Sequence, residues 1–267
     1  MAKQKRVGSD SRQEQIINFV REHGYASIEV LADKFGVSQQ TVRRDIIYLS
    51  EKNLLQRHHG GAGLPPGIDR LAYPNRQIRN AQEKALIGKA IAAQIPNGAS
   101  LFIDIGTSME AVAKALIGHE QLRIITNHIG VVSILCENTD FEIILSGGLV
   151  RNRDRAVTGD TTTEFLRKFR VGYGIFGIGA LTDEGQLLDY DYRDSQASRA
   201  ALEISRLKFA AADHSKFNAD AMMPFAHVSE FDGIFTDIQP PPAIVDAIKL
   251  GGTDLNVASH MGDVKQA

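Results

Sequence analysis

The sequence predicts an α/β protein in two unlike parts: a small helical head closed by a β wing, and a larger body of strands alternating with helices. Three observations carry this. Between Gln13 and Gly63, helical apolar stripes flank a glycine turn and lead into a glycine-rich strand pair. From Leu101 onward, short apolar runs alternate with helical patterns, the mark of a mainly parallel sheet covered on both faces. Between the two stands Leu64-Pro-Pro-Gly67, a stiff break. The expected division is a head over residues 1–63, a linker over 64–80 and a body over 81–267.

Composition narrows the class. Of 267 residues, 43% are hydrophobic and 23% charged, the balance of a soluble globular chain rather than a disordered one. No run approaches the ~18 apolar residues of a membrane span. Met1 to Arg12 is polar and basic, without the apolar core of a secretion signal. The single cysteine, Cys136, excludes an intrachain disulfide framework and argues against a small zinc site; it fits a reducing cytoplasm. A cytoplasmic protein with no metal and no cofactor is expected. Residues 1–63 hold ten Lys/Arg against seven Asp/Glu, and the remainder twenty against twenty-five. A basic head on an acidic body is the balance of a nucleic-acid module joined to a domain with another task.

Within the head, residues 12–23 read as a helix through Ile16, Ile17, Phe19 and Val20, stopped by Gly24. Ser27 can cap a second helix carrying Val30, Leu31 and Phe35, and Gly36 supplies a turn. Ser38 can cap a third helix reaching to about Asn53. Its Val42, Ile46 and Leu49 lie at i, i+4 and i+7, one buried stripe. That order is a helix-turn-helix. The third helix has a reason to face DNA. Ser38, Gln39, Gln40 and Thr41 can reach base edges or phosphates. Arg43 and Arg44 follow, and arginine pairs bidentately with guanine or phosphate. Leu54 to Gly63 then reads as a wing, with Arg57, His58 and His59 at a basic tip beside glycines. A solvated face on an ordinary three-helix bundle explains one arginine, but not cap, turn and wing together. His58 and His59 have no ligand partners at metal spacing, so phosphate contact or solvation is the reading for them.

Ser38-Gln-Gln-Thr-Val-Arg-Arg-Asp-Ile46, followed by Leu55-Gln-Arg-His-His-Gly-Gly-Ala62, resembles the DNA-binding segment of DeoR-family bacterial repressors. The resemblance implies that this helix enters the major groove of double-stranded operator DNA, with Thr41, Arg43 and Arg44 in contact. Asp45 reads as structural, because a carboxylate facing phosphates is repelled.

In the body, Glu83–Ile95 reads as a helix before the turn Pro96-Asn-Gly98. Strands follow at Leu101–Ile105, Leu122–Thr126, Phe141–Leu145, Tyr173–Ile178, Lys208–Ala212, Gly233–Thr236 and Leu255–Ala258. Helices fall at Met109–Ile117, Ile129–Cys136, Thr161–Phe169, Arg193–Arg206 and Pro242–Lys249. Ligands of such sheets sit beyond the strand ends. Three strand-end loops look chemical. Asp104-Ile-Gly-Thr-Ser108 leads into a helix, and Gly106, the Thr107 and Ser108 hydroxyls and free amides can cradle a phosphate. An ordinary capped turn competes with that reading. Thr126-Asn127 and Ser146-Gly147-Gly148, with Arg151 shortly after, are common turn pairs and weak singly. Their recurrence at successive strand ends is the stronger signal. Lys216, in Asp213-His-Ser-Lys216, can neutralise a phosphate; a surface charge is the competing reading for it and for Arg193. Gly174-Ile-Phe-Gly-Ile-Gly179 has the wrong order for a dinucleotide fingerprint, and close strand packing explains it.

The body, too, resembles the DeoR-family sensor domain, over nearly the whole chain. The resemblance implies a fold like ribose-5-phosphate isomerases and a phosphorylated metabolite as effector. The resemblance, carried by segments such as Leu101-Phe-Ile-Asp-Ile-Gly-Thr107, Asp189-Tyr-Asp-Tyr192 and Asp213-His-Ser-Lys-Phe217, implies glycerol 3-phosphate as that effector. Many family members carry Glu and Lys four residues apart after the tyrosines; here those positions are Asp194 and Ser198. A shorter acid and a lost cation weaken any isomerase-like acid–base pair. The reading is a homodimeric or homotetrameric repressor without membrane attachment, and not an enzyme. Its rivals are a repressor sensing another sugar phosphate and an isomerase with a fused head, using Asp104, Asp194 and Lys216.

Overall fold

The computed structural model describes residues 12–20, 25–52, 54–58, 60–63 and 73–258. The chain divides into two compact units, Met1–Arg79 and Asn80–Ala267.

In the first unit, residues 12–20 form α1. β1 (Tyr25–Ser27), α2 (Ile28–Phe35), α3 (Gln39–Glu51), β2 (Gln56–His58), β3 (Gly61–Gly63) and α4 (Tyr73–Ile78) follow. The caps fall where the side chains allow them. The Ser27 hydroxyl accepts the Val30 N–H at 3.2 Å, and the Ser38 hydroxyl accepts that of Thr41 at 3.2 Å. Gly36 ends α2 in the left-handed conformation, φ 61°. Ile16, Val20, Leu31, Val42, Ile46, Leu49 and Leu55 close one core. The wing is a three-stranded sheet in the order β1-β3-β2. Its third member, β1, is too short to carry a two-residue period that sequence could register. Helix α4 occupies part of the stretch expected to be a linker. The expectations for residues 21–24, Asn53, His59 and Leu64-Pro-Pro-Gly67 lie outside the described residues.

The second unit is built on a seven-stranded sheet, order β15-β14-β12-β9-β4-β5-β6, in which every neighbouring pair is parallel. These strands are β4 (Ser100–Ile103), β5 (Arg123–Thr126), β6 (Glu142–Leu145), β9 (Val171–Gly177), β12 (Ser205–Ala212), β14 (Gly233–Thr236) and β15 (Asp254–Val257). Helices α5 (Ala81–Ala92), α6 (Thr107–Leu116) and α7 (Ile129–Asn138) cover one face. There Ile87, Ile91, Val112 and Leu135 pack on Leu101, Ile103 and Ile175. Helices α8 (Asp160–Leu166), α9 (Tyr192–Ile204) and α10 (Pro242–Leu250) cover the other, around Phe102 and Phe176. Leu101, Phe102 and Ile103 thus alternate between two buried faces, which is why the strands read as unbroken apolar runs.

Strand order runs outward one way through β4, β5 and β6, then returns to β9 and runs the other way. The reversal lies between β4 and β9, and beyond their carboxyl ends such sheets open a crevice. Two antiparallel additions went unread in the sequence: the hairpin β7 (Leu149–Arg151) with β8 (Ala156–Thr158), and a small sheet of β10 (Ala180–Leu181), β11 (Gln186–Asp189) and β13 (Met223–His227). Their partners are distant in sequence or their strands very short. Among the described residues no helix is long and apolar enough to cross a membrane.

Candidate functional site

Helix α3 sorts its residues by side. Val42, Asp45, Ile46 and Leu49 are buried, while Gln39, Gln40, Arg43 and Arg44 are exposed. Ser38 and Thr41 hydrogen-bond each other, Oγ to Oγ1 at 2.9 Å, so part of their capacity goes to the helix start. Arg57 is exposed on β2; the backbone of His58 belongs to the same strand, and its side chain lies outside the description. Buried Asp45 explains how α3 is held. Its carboxylate accepts Arg12 Nε at 2.7 Å, Arg12 Nη2 at 3.3 Å and Gln13 Nε2 at 3.0 Å. That bidentate pair fastens α1 to α3 and raises the Arg12 guanidinium above its ordinary range, against burial. Sequence reasoning marked Asp45 as structural but missed Arg12 and Gln13. Their partner lies some thirty residues away, and no local pattern signals it.

The other candidates lie along the carboxyl edge of the large sheet. The Asp104 N–H donates to Ile175 O at 3.0 Å, tying β4 to β9 beside the reversal point. The Asp104 side chain is buried; its Oδ2 accepts the Ser198 hydroxyl at 3.0 Å, and its Oδ1 has no partner among the described residues. Burial pushes this carboxyl well above the usual aspartate range, and the nearby charges of Asp189 and Asp194 push the same way. Gly106 then adopts φ +111°, and a Cβ there would meet nothing within 4 Å. Glycine is required at this position by the backbone angle, not by crowding. At Gly177, by contrast, a Cβ would stand 2.7 Å from Ile105 O, and at Gly174 2.3 Å from Ser205 Oγ of β12, so the glycine run does allow close packing on its neighbours.

Helix α6 starts at Thr107, and its first bonded amides, Met109 and Glu110, both reach back to Gly106 O. The amides of Thr107 and Ser108 therefore have no carbonyl within the helix. One strand along, the Thr126 hydroxyl donates to Ile103 O at 2.6 Å and accepts the His128 N–H at 3.1 Å. Thr126 thus braces β5 against β4. Buried Asn127 donates to Val157 O at 3.4 Å, and its Oδ1 has no partner among the described residues. His128 is buried too, and burial holds its imidazole down at about 4. One strand further, the Ser146 hydroxyl is buried and unpartnered among the described residues. Gly147 O accepts the Thr162 hydroxyl at 2.9 Å, and Gly148 adopts φ +146°.

The charged candidates differ from each other. Arg151 is gripped by Asp154 at 2.7 and 2.8 Å, Asp191 at 3.0 Å and Asp194 at 2.7 Å. Burial works against its charge, but the hydrogen bonds to Asp154 and Asp194 outweigh it. Burial likewise raises the Asp194 carboxyl despite Arg151, and Asp194 Oδ1 has no partner among the described residues. A cleft of about 430 Å³ opens over Arg151, Arg153, Asp191, Tyr192 and Arg193. Lys216 lies in the turn that follows β12, and its charge acts on Asp213.

The structure therefore joins Asp104 to Ser198, lines up three loops at the ends of β4, β5 and β6, and commits Arg151 to Asp154, Asp191 and Asp194. Asp194 and Ser198, where the family resemblance led to an expected acid and cation, instead hold Arg151 and Asp104. The pairing of Arg151 with Asp154, Asp191 and Asp194 was missed, since a single aspartate carries no signal of its partner.

Residues 12–66 match the DeoR-like helix-turn-helix domain, and residues 79–238 match the DeoR C terminal sensor domain. The glycerol-3-phosphate regulon repressor of Escherichia coli is 43% identical over 237 residues, covering 89% of this chain and 94% of that protein. The protein of the same description in Haemophilus influenzae is 43% identical, covering 91% of this chain and 95% of its own length. Among solved structures, ribose 5 phosphate isomerase A from Neisseria gonorrhoeae aligns with 51% of this chain and 53% of its own, at 12% identity and a TM-score of 0.38.

Proposed function

This chain belongs to the DeoR family of transcriptional repressors, and from that membership we propose that it releases its operator when glycerol 3-phosphate fills the strand-end site. The head reads operator DNA through Gln39, Gln40, Arg43 and Arg44, with Ser38 and Thr41 at the helix start and Arg57 and His58 as the wing's contacts. The effector's phosphate rests on the Thr107 and Ser108 amides and hydroxyls, with Lys216 supplying charge. Asp104 and Asn127 take its hydroxyls, Thr126 and the Gly147-Gly148 turn shape the edge, and Arg151 fixes the acidic wall. The protein acts in the cytoplasm as a homodimer or homotetramer and not as an enzyme, with the segment around α4 joining its two domains.

One observation carries the effector reading: the open start of α6 stands beside the unpartnered atoms Asp104 Oδ1 and Asn127 Oδ1 at adjoining strand ends. Buried polar atoms are nearly always satisfied, so acceptors left open at a crevice favour a donor-rich ligand. Weakening operator binding ~100-fold needs ~2.7 kcal/mol of coupling, within reach of a phosphate held by several N–H groups. The test is fluorescence anisotropy on an operator selected from a random library, titrated with glycerol 3-phosphate and other three- to six-carbon phosphates. Release by glycerol 3-phosphate is expected. Release only by another sugar phosphate would reassign the effector, and turnover of ribose 5-phosphate would overturn the non-enzymatic reading.

A further inference from the structure

We propose that Asn80 is the positioning residue that ties effector occupancy at the Asp213–Lys216 turn to the release of DNA. This rests on the effector reading above. Asn80 is the break between α4 and α5, with a left-handed backbone at φ 52° and ψ 39°. It is also the first residue of the second unit, where the chain arrives from the DNA-binding unit. Asparagine tolerates this conformation better than most L residues, but still above the cost of right-handed or extended backbone. Something must hold it there.

The side chain supplies the hold. It makes no capping bond to its own helix. Instead Nδ2 donates to Asp213 Oδ1 at 2.8 Å. The same oxygen accepts the Ser215 N–H at 3.1 Å and the Ser215 hydroxyl at 2.6 Å, while the Lys216 N–H bonds Asp213 O at 2.8 Å. One buried carboxylate oxygen is thus shared between the turn that presents Lys216 and the residue that starts α5. The next positions on α5 reinforce the link: Lys84 attracts Asp213, and Glu83 attracts His214. Burial alone would push Asp213 up, yet Lys216, Ser215, Asn80 and Lys84 together hold it below the ordinary range, so it is an anion at neutral pH.

A phosphate drawn to Lys216 competes with Asp213 for the lysine's charge. The turn then re-seats, and Asn80, sharing the same oxygen, re-seats with it. Released from that bond, Asn80 can leave its left-handed backbone for a lower-cost one, and it is this change that we propose the effector biases.

The decisive variant is Asn80→Gly in the full chain, since glycine keeps the left-handed backbone and deletes only the amide. Asn80→Asp is the second variant: it keeps the left-handed preference but sets a like charge against Asp213. Three quantities are read on each: operator affinity without effector, glycerol 3-phosphate affinity by calorimetry, and operator affinity at saturating glycerol 3-phosphate. Both variants should bind operator and effector within about twofold of the parent, while the effector's weakening of operator binding shrinks by about tenfold or more. A stability loss alone does not move that ratio. Parent-like release by Asn80→Gly overturns the inference. So does loss of effector affinity in both variants, which would make Asn80 part of the pocket. Failure of the parent itself to bind glycerol 3-phosphate overturns the effector reading, and the coupling with it.

Discussion

The proposed operator face and the proposed effector edge treat polar side chains in opposite ways. On α3 the candidate contacts come from one helix within six residues, and Gln39, Gln40, Arg43 and Arg44 stand in solvent. At the sheet edge they come from several strand ends, and Asp104, Asn127 and Ser146 are buried with atoms left open. DNA is a large polyanion that meets an exposed surface, so little desolvation is needed beforehand. A small effector is recognised only where a crevice has already removed water from the groups that will hold it. The first kind of site needs one well-placed helix; the second needs the whole sheet.

That contrast predicts how each unit fails. The largest effect should come from Ile46→Ala, which empties a buried position behind the recognition face. The cost is ~2–5 kcal/mol of stability for the first unit. Operator binding should collapse while calorimetric effector binding persists; loss of both would mean the units do not fold independently. Acid should strike the second unit. His128 falls from 6.5 to about 4 in the native state, so it is neutral when folded and takes up a proton on unfolding. Its stabilising contribution is present above pH 6.5 and is lost as pH falls toward 4, on the order of 3 kcal/mol. Urea unfolding followed across that window should show the slope, and His128→Gln should flatten it.

Two mirror variants then sharpen the comparison. Thr107→Val deletes one hydroxyl facing the proposed phosphate and should weaken effector binding by ~1.5–3 kcal/mol. Operator binding without effector should be untouched, giving a repressor deaf to its inducer; parent-like release would move the phosphate toward the Ser146–Gly148 loop. Arg43→Ala should do the reverse, lowering operator affinity by ~1–3 kcal/mol and relaxing preference at one base position, with effector affinity unchanged. The smallest effect belongs to Arg57→Ala on the wing. Specific and non-specific DNA should weaken equally, and the salt slope should drop by ~1. A loss confined to one base position would make the wing a reader of sequence.

Much of the head was legible because its signals are local. Ser27, Gly36 and Ser38 each act within four residues of themselves, so caps and turn could be placed from spacing alone. The central strands of the large sheet were legible for a related reason: parallel strands buried on both faces read as near-continuous apolar runs, whatever their neighbours. The hairpin β7–β8, the small β10-β11-β13 sheet and β1 were not, because they are defined by pairing rather than by pattern.

The sequence by itself marked the candidates for the chemistry: the arginines after a helix cap, the glycines, hydroxyls and amides at strand ends, the lysine after Asp213. Only the tertiary structure decided what each is committed to. Ser198 meets Asp104 across 94 positions of chain, Asn80 meets Asp213 across 133, and Arg151 finds Asp191 and Asp194 across 40 and 43. Helix and strand periods are written by interactions a few residues apart, so a sequence displays them. Hydrogen bonds between distant side chains depend on strand order, here the return of the chain from β6 to β9, and that order is fixed by how the whole apolar core closes.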